Sequence, residues 1–325
     1  MNRSRRELLA TLAAGSALVA GCVDDGSDDE PENGDGTDET ADQPDTAGLD
    51  NLPEEGYPGT CPAYETARVI CYEAVVGSDD DAVGVESVPA ILEPSTRSFA
   101  PGESVEFVLS NQSDAALSTN FYNWRLDKQV DGEWYHVAPF AINEPMMSVS
   151  PGESHAWSVQ IDNSGIEDGE LVPRASGTDD LTLAGVGGGR YAFRARGWFE
   201  DHEDSVAFAA TVEYEGDPLE LTTTTLIGEV AFEGETLVAE STATTQANEA
   251  YVLERVEGSA EEADGVITEQ LLRTPPRRDA VALAEEYDAD RVRLDGYTPE
   301  RYVRDPLGRF RYQGQQYELT KQGED

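Results

Sequence analysis

Between residues 82 and 214, apolar and polar side chains alternate in short runs that are separated by Gly, Pro, Asn and Asp. A period of two places successive side chains on opposite faces of a β-strand, so each run predicts a strand with one buried face. The predicted strands lie at residues 88–92, 104–110, 120–128, 134–137, 155–161, 190–196 and 206–213. With a tight turn at Asp131-Gly132 and no helical period between them, these strands predict a two-sheet antiparallel sandwich over residues 82–216.

The turn Pro-Gly-Glu-Ser occurs twice, at residues 101–104 and 151–154, and each copy directly precedes a predicted strand. Proline presets the turn and glycine accepts a positive φ, so the strand starts at once. Together with Trp124, Trp157 and the segment 189–193, these turns resemble those of bacterial and archaeal immunoglobulin-like domains. The resemblance implies an immunoglobulin-like β-sandwich packed around the two tryptophans, a fold that serves many unrelated functions.

The pattern changes after residue 216 and predicts a small α+β domain over residues 217–325. A proline pair at 275–276 precedes an amphipathic run at 279–287, which predicts a short helix. Strands are predicted at residues 221–232, 236–241 and 291–294, and a closing hairpin at 309–312 and 316–319. The domain is similar to uncharacterised domains of haloarchaeal secreted proteins, a resemblance that implies no activity. The predicted fold class is therefore mainly β, with an α+β domain attached.

The first 22 residues have the pattern of an export signal. A basic segment containing Arg5 and Arg6 precedes an uncharged run at residues 8–21, which is too short to span a bilayer. The arginine pair resembles a twin-arginine signal, and Val-Ala-Gly-Cys, ending at Cys22, resembles a lipobox. The resemblance implies removal of residues 1–21 and a lipid on Cys22. The alternative is an N-terminal membrane helix that stays attached.

Lipidation would anchor the protein to the outer face of the cytoplasmic membrane, at the cell surface. Residues 22–56 are mainly Asp, Glu, Gly, Thr and Pro. Such a segment buries too little apolar area to offset its chain entropy, so it is predicted to be a disordered acidic tether.

In the lead-in segment, residues 57–81, Cys61 and Cys71 are predicted to form a disulfide, since an extracytoplasmic compartment permits one.

The composition excludes several classes of partner. The chain has 66 acidic and 22 basic residues, a net charge of -44, and only two lysines. Phosphate contacts need clustered Lys and Arg, so nucleic acid and anionic lipid surfaces are not expected partners. Acidic composition with arginine in place of lysine is typical of proteins in molar salt, where screening removes most self-repulsion. With this composition, the export signal resembles those of haloarchaeal lipoproteins.

No motif predicts catalysis, a metal site or a cofactor. The acidic runs at 79–81 and 201–204 lack the ligand spacing of a calcium loop. Met146-Met147 and His155 lack the cysteine that a blue-copper site needs. None of the three histidines lies in a nucleophile motif. We therefore expect a protein that is not an enzyme, with no catalytic residues and no cofactor.

Arginines are concentrated near the C-terminus. Residues 255–325 carry a net charge of -5, whereas residues 22–254 carry -41. Four arginines alternate with apolar residues on predicted strands: Arg291, Arg293, Arg309 and Arg311. If the two strands are neighbours, these arginines form a face that suits carboxylate or phosphate groups. The alternative is that they pair with Glu318, Asp290, Asp295 and Asp305 on the same domain.

These observations favour a lipid-anchored, non-enzymatic binding or interaction module at the cell surface, in high salt. Its partner would be an extracytoplasmic protein or an anionic ligand. The second hypothesis is a solute-binding lipoprotein of a transporter, which requires a ligand cleft between the two domains. The absence of duplicated α/β lobes from the sequence pattern counts against it. An envelope enzyme is the third.

Overall fold

A computed structural model describes residues 52–64, 66–77, 82–166, 171, 177–200, 202, 204–242, 249–257, 263–297 and 306–323. The predicted export signal with Arg5 and Arg6, the lipidation site Cys22 and most of the tether lie outside the described residues. Within the described residues, no helix is both long and apolar enough to cross a membrane.

The first part of the described chain is a β-sandwich. Its strands are β1 (Gly56–Tyr57), β2 (Arg68–Cys71), β3 (Ala90–Pro94), β4 (Ser98–Phe99), β5 (Ser104–Asn111), β6 (Leu117–Thr119), β7 (Arg125–Val130), β8 (Glu133–Ala138), β9 (Met147–Val149), β10 (Ser154–Ile161), β11 (Asp180–Leu183), β12 (Gly189–Phe199) and β13 (Val206–Tyr214). A nine-stranded sheet has the order β1-β2-β13-β12-β6-β9, with β7 on β12, β8 on β7 and β4 on β13. A four-stranded sheet has the order β11-β10-β5-β3. The predicted mainly β fold with a two-sheet sandwich is confirmed.

Alternating apolar residues build the core between the two sheets. In β5 every second residue is buried, as period-two alternation requires. Phe107 from the smaller sheet stacks on Phe193 from the larger one, with ring centroids 4.3 Å apart. The predicted core tryptophans Trp124 and Trp157 are both buried. Large aromatic side chains therefore fill the space between the two sheets.

The two Pro-Gly turns have the predicted geometry, because Gly102 and Gly152 have φ values of 86° and 73°. Each lies directly before a long strand of the smaller sheet, β5 or β10. A side chain at positive φ is strained, whereas glycine tolerates that conformation. The short strands β6, β9 and β11 were not predicted, since three or four residues carry too little alternation to distinguish them from a loop.

The lead-in segment is part of the larger sheet. Strand β2 pairs in parallel with β13, and helix α1 (Tyr72–Val76) follows it directly. The predicted disulfide joins Cys61 to Cys71, whose Cα atoms are 5.8 Å apart. Both cysteines pack against Ala207 and Ala209 on the outer face of β13. The small alanines leave room for the disulfide, so the segment covers one face of the sheet as well as extending its edge.

The C-terminal part is a seven-stranded sheet with two helices. Its elements are β14 (Ile227–Glu233), β15 (Thr236–Ser241), β16 (Glu249–Arg255), β17 (Asp264–Gly265), α2 (Thr268–Leu272), α3 (Pro275–Glu286), β18 (Arg291–Asp295), β19 (Gly308–Tyr312) and β20 (Gln315–Gly323). The strand order is β14-β15-β18-β16-β20-β19-β17. Helix α3 begins at Pro275, four residues before the predicted start, because proline is well suited to the first helical position. Strand β16 was not predicted, although it pairs with both β18 and β20.

A buried polar cluster fixes helix α3 to the connector between the domains. Asp279 accepts hydrogen bonds from the Thr224 backbone N–H at 2.6 Å, the Thr224 hydroxyl at 2.7 Å and the Tyr297 hydroxyl at 2.6 Å. Arg278 donates to the Thr222 carbonyl at 2.6 Å and to the Ile166 carbonyl of the sandwich at 3.2 Å. Burial raises the pKa of Asp279 despite these donors. Residues 221–226, predicted as part of a strand, are held here as connector instead.

We expect Asp279→Ala to lower the free energy of unfolding by at least about 3 kcal/mol, because it leaves three buried donors without an acceptor and Arg278 without its neighbouring charge. The exposed Asp290 is the matched control, and Asp290→Ala should change stability by less than about 0.5 kcal/mol. Denaturant unfolding of both variants measures the difference. Equal effects would show that the cluster does not carry this stability.

Candidate functional site

The four predicted site arginines share one face of the C-terminal sheet, but they do not form a single cluster. Arg291 and Arg293 lie on β18, and Arg309 and Arg311 lie on β19. Their apolar neighbours are buried on the side of helix α3, so the arginines lie on the opposite side. Strands β16 and β20 separate β18 from β19, which places the two pairs about 14 Å apart.

Carboxylates fill much of the space between these arginines. Glu254 on β16 pairs with Arg291, and Glu318 on β20 pairs with Arg309 at 3.2 Å. Arg293 bonds Asp295 and Glu233, at 2.9 Å each. Such exposed pairs contribute about 0–1 kcal/mol each. Carboxylates of the same sheet therefore engage Arg291, Arg293 and Arg309. Two of these carboxylates, Glu318 and Asp295, were among the partners predicted as the alternative.

Arg311 differs from the other three because it lines a cleft of about 550 Å³ between the two domains. The sandwich contributes the β7–β8 hairpin, with Lys128, Val130, Asp131, Glu133 and Tyr135. The opposite wall consists of residues 265–269 and 311–314, and Pro218 and Leu219 of the connector complete the lining. A volume of this size falls in the range of small-molecule sites, which commonly lie between domains.

A buried ion pair joins the two walls at the floor of the cleft. The Lys128 ammonium lies 2.5 Å from Oε1 of Glu269, and the exposed fractions of the two side chains are 12% and 3%. The same carboxylate oxygen accepts a hydrogen bond from the backbone N–H of Gly187 at 3.3 Å. Because the pair is removed from solvent, loss of either partner would leave an uncompensated charge.

A second cation lies one layer below this pair. Arg273 follows α2 directly, and its guanidinium donates to the carbonyls of Gly185 at 2.7 Å, Ala184 at 2.5 Å and Glu269 at 2.8 Å. Burial lowers the pKa of Arg273 to about 10, so the side chain is still charged at neutral pH. Burial and the nearby Glu269 raise the pKa of Tyr191, which keeps the phenol protonated. Lys128 and Glu269 thus line the cleft, whereas Arg273 is buried behind Glu269 and does not line it.

Sequence reasoning missed this site, although one signal was available. Lys128 is one of only two lysines in the chain, in a composition that otherwise uses arginine. Its partner Glu269 is 141 residues away, and alternation along a strand contains no information about such a distant contact. Among the predicted site residues that the structure describes, Arg311 is the one that lines the cleft.

A second polar cluster lies on the outer face of the larger sheet. Asp127 accepts hydrogen bonds from Arg125 at 2.6 Å and from Tyr64 at 3.1 Å, and it lies 3.2 Å from Nδ1 of His136. Burial alone would raise the pKa of Asp127, but the contacts with His136 and Arg125 outweigh it and lower that pKa. Nε2 of His136 faces the Pro139 carbonyl at 2.9 Å. Both ring nitrogens are therefore engaged, which leaves neither one available to a substrate in this arrangement.

A larger hollow, of about 950 Å³, lies beside the lead-in segment. Its charged lining is mostly acidic, with Glu54, Glu55 and Asp204. Arg68 is the basic residue of the lining, and it pairs with Asp204 at 2.5 Å. The hollow lies on one part of the sandwich, and its described lining has no buried charge like that of the interdomain cleft.

Among the described residues, one group has the proximity that a metal site requires: Cys61, Cys71 and Glu73. The two sulfurs are joined in the disulfide, so they have neither a thiolate to offer a metal nor a proton to donate to Glu73. Glu73 instead accepts from the Thr211 backbone N–H at 2.9 Å and the Thr211 hydroxyl at 2.8 Å, and it pairs with Arg97. The group is thus a structural connection between α1 and the sheet.

Comparison with known proteins identifies part of the sandwich. The chain spans about half the length of Spo0M, the sporulation control protein of Bacillus subtilis, whose crystal structure matches 39% of this chain and 50% of its own at 13% identity. The TM-score of 0.21 is too low for that match to support a conclusion about fold or function. No curated protein matches the chain. Residues 92–170 match the bacterial Ig-like domain family, so the chain contains an immunoglobulin-like domain of the bacterial type.

Proposed function

We propose that this protein is a non-enzymatic binding module, held at the cell surface by lipid on Cys22, and that the interdomain cleft is its ligand site. The observation that carries the proposal is the cleft of about 550 Å³, whose floor holds the buried Lys128–Glu269 pair. A charge pair removed from solvent costs desolvation energy that packed apolar residues would not. Ligand pockets commonly combine apolar lining with a few placed polar groups, and this cleft has both.

The architecture supports binding in preference to catalysis. The immunoglobulin-like domain suggests a binding or interaction module. In the second polar cluster, both nitrogens of His136 are already engaged by Asp127 and Pro139. A general base needs a nitrogen within reach of the proton that it abstracts. The cleft, by contrast, combines charged and apolar surface without an arrangement that activates a nucleophile.

A solute-binding lipoprotein that delivers its ligand to a transporter is the second candidate function. The position of the cleft between two domains favours it, because such proteins hold their ligand between domains. Against it, one wall belongs to an immunoglobulin-like sandwich and the other to a mixed seven-stranded sheet, in place of two similar lobes. Transport would require the described domains to open, whereas Gln270 of α2 donates to the His136 carbonyl of the sandwich at 3.0 Å.

A pair of arginine variants tests whether binding occurs in the cleft or on the arginine-bearing face. Arg309 and Arg311 lie two residues apart on β19, but only Arg311 lines the cleft. We expect ligands found by thermal-shift screening of the full chain to stabilise the wild type and Arg309→Gln equally. The same ligands should stabilise Arg311→Gln much less, because a side chain that contacts the ligand is lost.

Each variant must first melt within a few degrees of the wild type without ligand. Equal loss of ligand stabilisation in both variants would assign binding to the face that carries Arg291, Arg293, Arg309 and Arg311 together. A screen without any ligand, combined with specific cross-links of residues 255–325 to one membrane protein, would replace the cleft with a protein interface.

The anchoring part of the proposal depends on Cys22. Because a lipid chain on this residue would hold the protein in the membrane, Cys22→Ser should move it from the membrane fraction to the soluble fraction of exporting cells. Cys61→Ser is the control, since it removes the disulfide and leaves Cys22 in place. Retention of Cys22→Ser in the membrane fraction would instead indicate an uncleaved N-terminal membrane helix.

High salt is expected to be necessary for folding because the net charge of -44 repels itself when it is not screened. The Debye length falls from about 10 Å at 0.1 M salt to about 3 Å at 1 M. Cooperative unfolding, followed by circular dichroism, should therefore be seen in molar potassium chloride and lost in dilute buffer. Full cooperative folding of the chain in dilute buffer would contradict the proposed high-salt environment.

A further inference from the structure

We propose that the outer face of the larger sheet binds a small inorganic anion, such as chloride, beside the guanidinium of Arg194, where the lead-in segment covers the sheet. This site is separate from the interdomain cleft and goes beyond the proposed function. Three observations carry it: a buried guanidinium without a hydrogen-bond acceptor, an excess of cations around that guanidinium, and an aromatic ring that shields it from solvent.

Arg194 is a buried cation without a carboxylate partner among the described residues. It lies on β12, and the exposed fraction of the residue is 8%. Its Nε atom is buried and has no acceptor, and no described carboxylate lies within ion-pair distance of its guanidinium. The ring of Tyr64, in the lead-in segment, covers the guanidinium with its centroid 4.0 Å from Cζ. An aromatic face attracts the cation, but it supplies no lone pair for the N–H donors.

Alanines and arginines surround Arg194 on the sheet. Its register partners are Ala209 on β13 and Arg125 on β7. Ala192 and Arg196 lie two residues away along β12 and therefore on the same face. An alanine side chain cannot accept a hydrogen bond, and an arginine side chain has only donors. Each of these neighbours therefore presents either a methyl group or another cation to Arg194.

Asp127, the carboxylate of the second polar cluster, is already engaged by other groups. Its Oδ1 atom accepts from Arg125 and lies near Nδ1 of His136, and its Oδ2 atom accepts from the Tyr64 hydroxyl. Burial raises the pKa of Tyr64, so the phenol carries no charge. Burial lowers the pKa of Arg194, and the nearby Arg125 lowers it more than Asp127 raises it. The charges around Arg194 therefore leave it without full compensation, which an anion would supply.

The enclosure of this position favours a small anion. Because only 8% of Arg194 is exposed, a large organic anion could not reach its N–H donors. Hydrogen bonds from a guanidinium to an anion are charge-assisted and therefore stronger than bonds between neutral groups. In molar salt even a weak site is filled, because occupancy depends on the ratio of the anion concentration to the dissociation constant. The bound anion would stabilise the packing of Tyr64, and with it the lead-in segment, on the sheet.

Thermal unfolding of the full chain tests the site when gluconate is exchanged stepwise for chloride at a constant molar concentration of potassium. Gluconate has the same charge as chloride but is too large for the enclosed position. We expect this exchange to raise the melting temperature of the wild type at least about 3 °C more than that of Arg194→Met, because an anion bound only to the folded state stabilises it. The comparison between the two proteins removes the general effect of each salt on stability.

Arg190→Met is the matched control. Arg190 lies on the same face of β12, but its guanidinium is bonded to the hydroxyls of Thr60 at 2.9 Å and Thr211 at 3.4 Å. This variant should therefore keep the chloride dependence of the wild type. Equal chloride dependence in the wild type and Arg194→Met would overturn the site, and so would an equal loss in Arg190→Met.

Bromide locates the anion directly in the wild type, so this measurement does not require either variant to fold. Crystals of the full chain grown in potassium bromide should show an anomalous-scattering peak in contact with the Arg194 guanidinium. A water molecule at that position, or a described oxygen that has moved to accept from Nε, would overturn the proposal even if chloride stabilised the protein through other sites.

Discussion

The buried contact between Lys128 and Glu269 is the interaction on which the relation between the two domains depends. It joins β7 of the sandwich to helix α2, and the same carboxylate bonds the backbone at Gly187. Arg273 extends the connection to the carbonyls of Ala184 and Gly185. Each of these groups would be costly to bury alone, so the domains are held in the one arrangement that satisfies all of them. The cleft is a consequence of that arrangement.

Much of the fold could be predicted because it depends on local pattern. All seven predicted sandwich strands overlap observed strands, and the Pro-Gly turns precede β5 and β10 as expected. The α+β class of the C-terminal domain was likewise predicted from local pattern, that of its helix and its closing hairpin. Strand β16 was missed although it lies inside the sheet, since a strand with apolar residues on both faces, such as Tyr251, Val252 and Leu253, lacks clean alternation.

The site was harder to predict because it depends on contacts between distant parts of the chain. Alternation predicted that Arg291 and Arg293 share a face, as do Arg309 and Arg311, but it could not give the strand order that separates the two pairs. Nor could it show that Glu254 and Glu318 would lie between them. Lys128 and Glu269 meet only when the sandwich packs against α2. Local sequence determines faces, whereas tertiary packing determines which faces form a site.

Two groups of cationic side chains lie in different environments, the exposed sheet face and the buried region beside the cleft, and they contribute differently in each. On the open sheet face, arginines and carboxylates form exposed ion pairs, which salt weakens. These pairs therefore contribute to hydration of the surface more than to specific binding. Lys128, which lines the cleft, and Arg273, which is buried behind Glu269, are shielded from solvent, so salt screens them far less. Salt therefore weakens contacts on the exposed arginine face more than the buried Lys128–Glu269 pair.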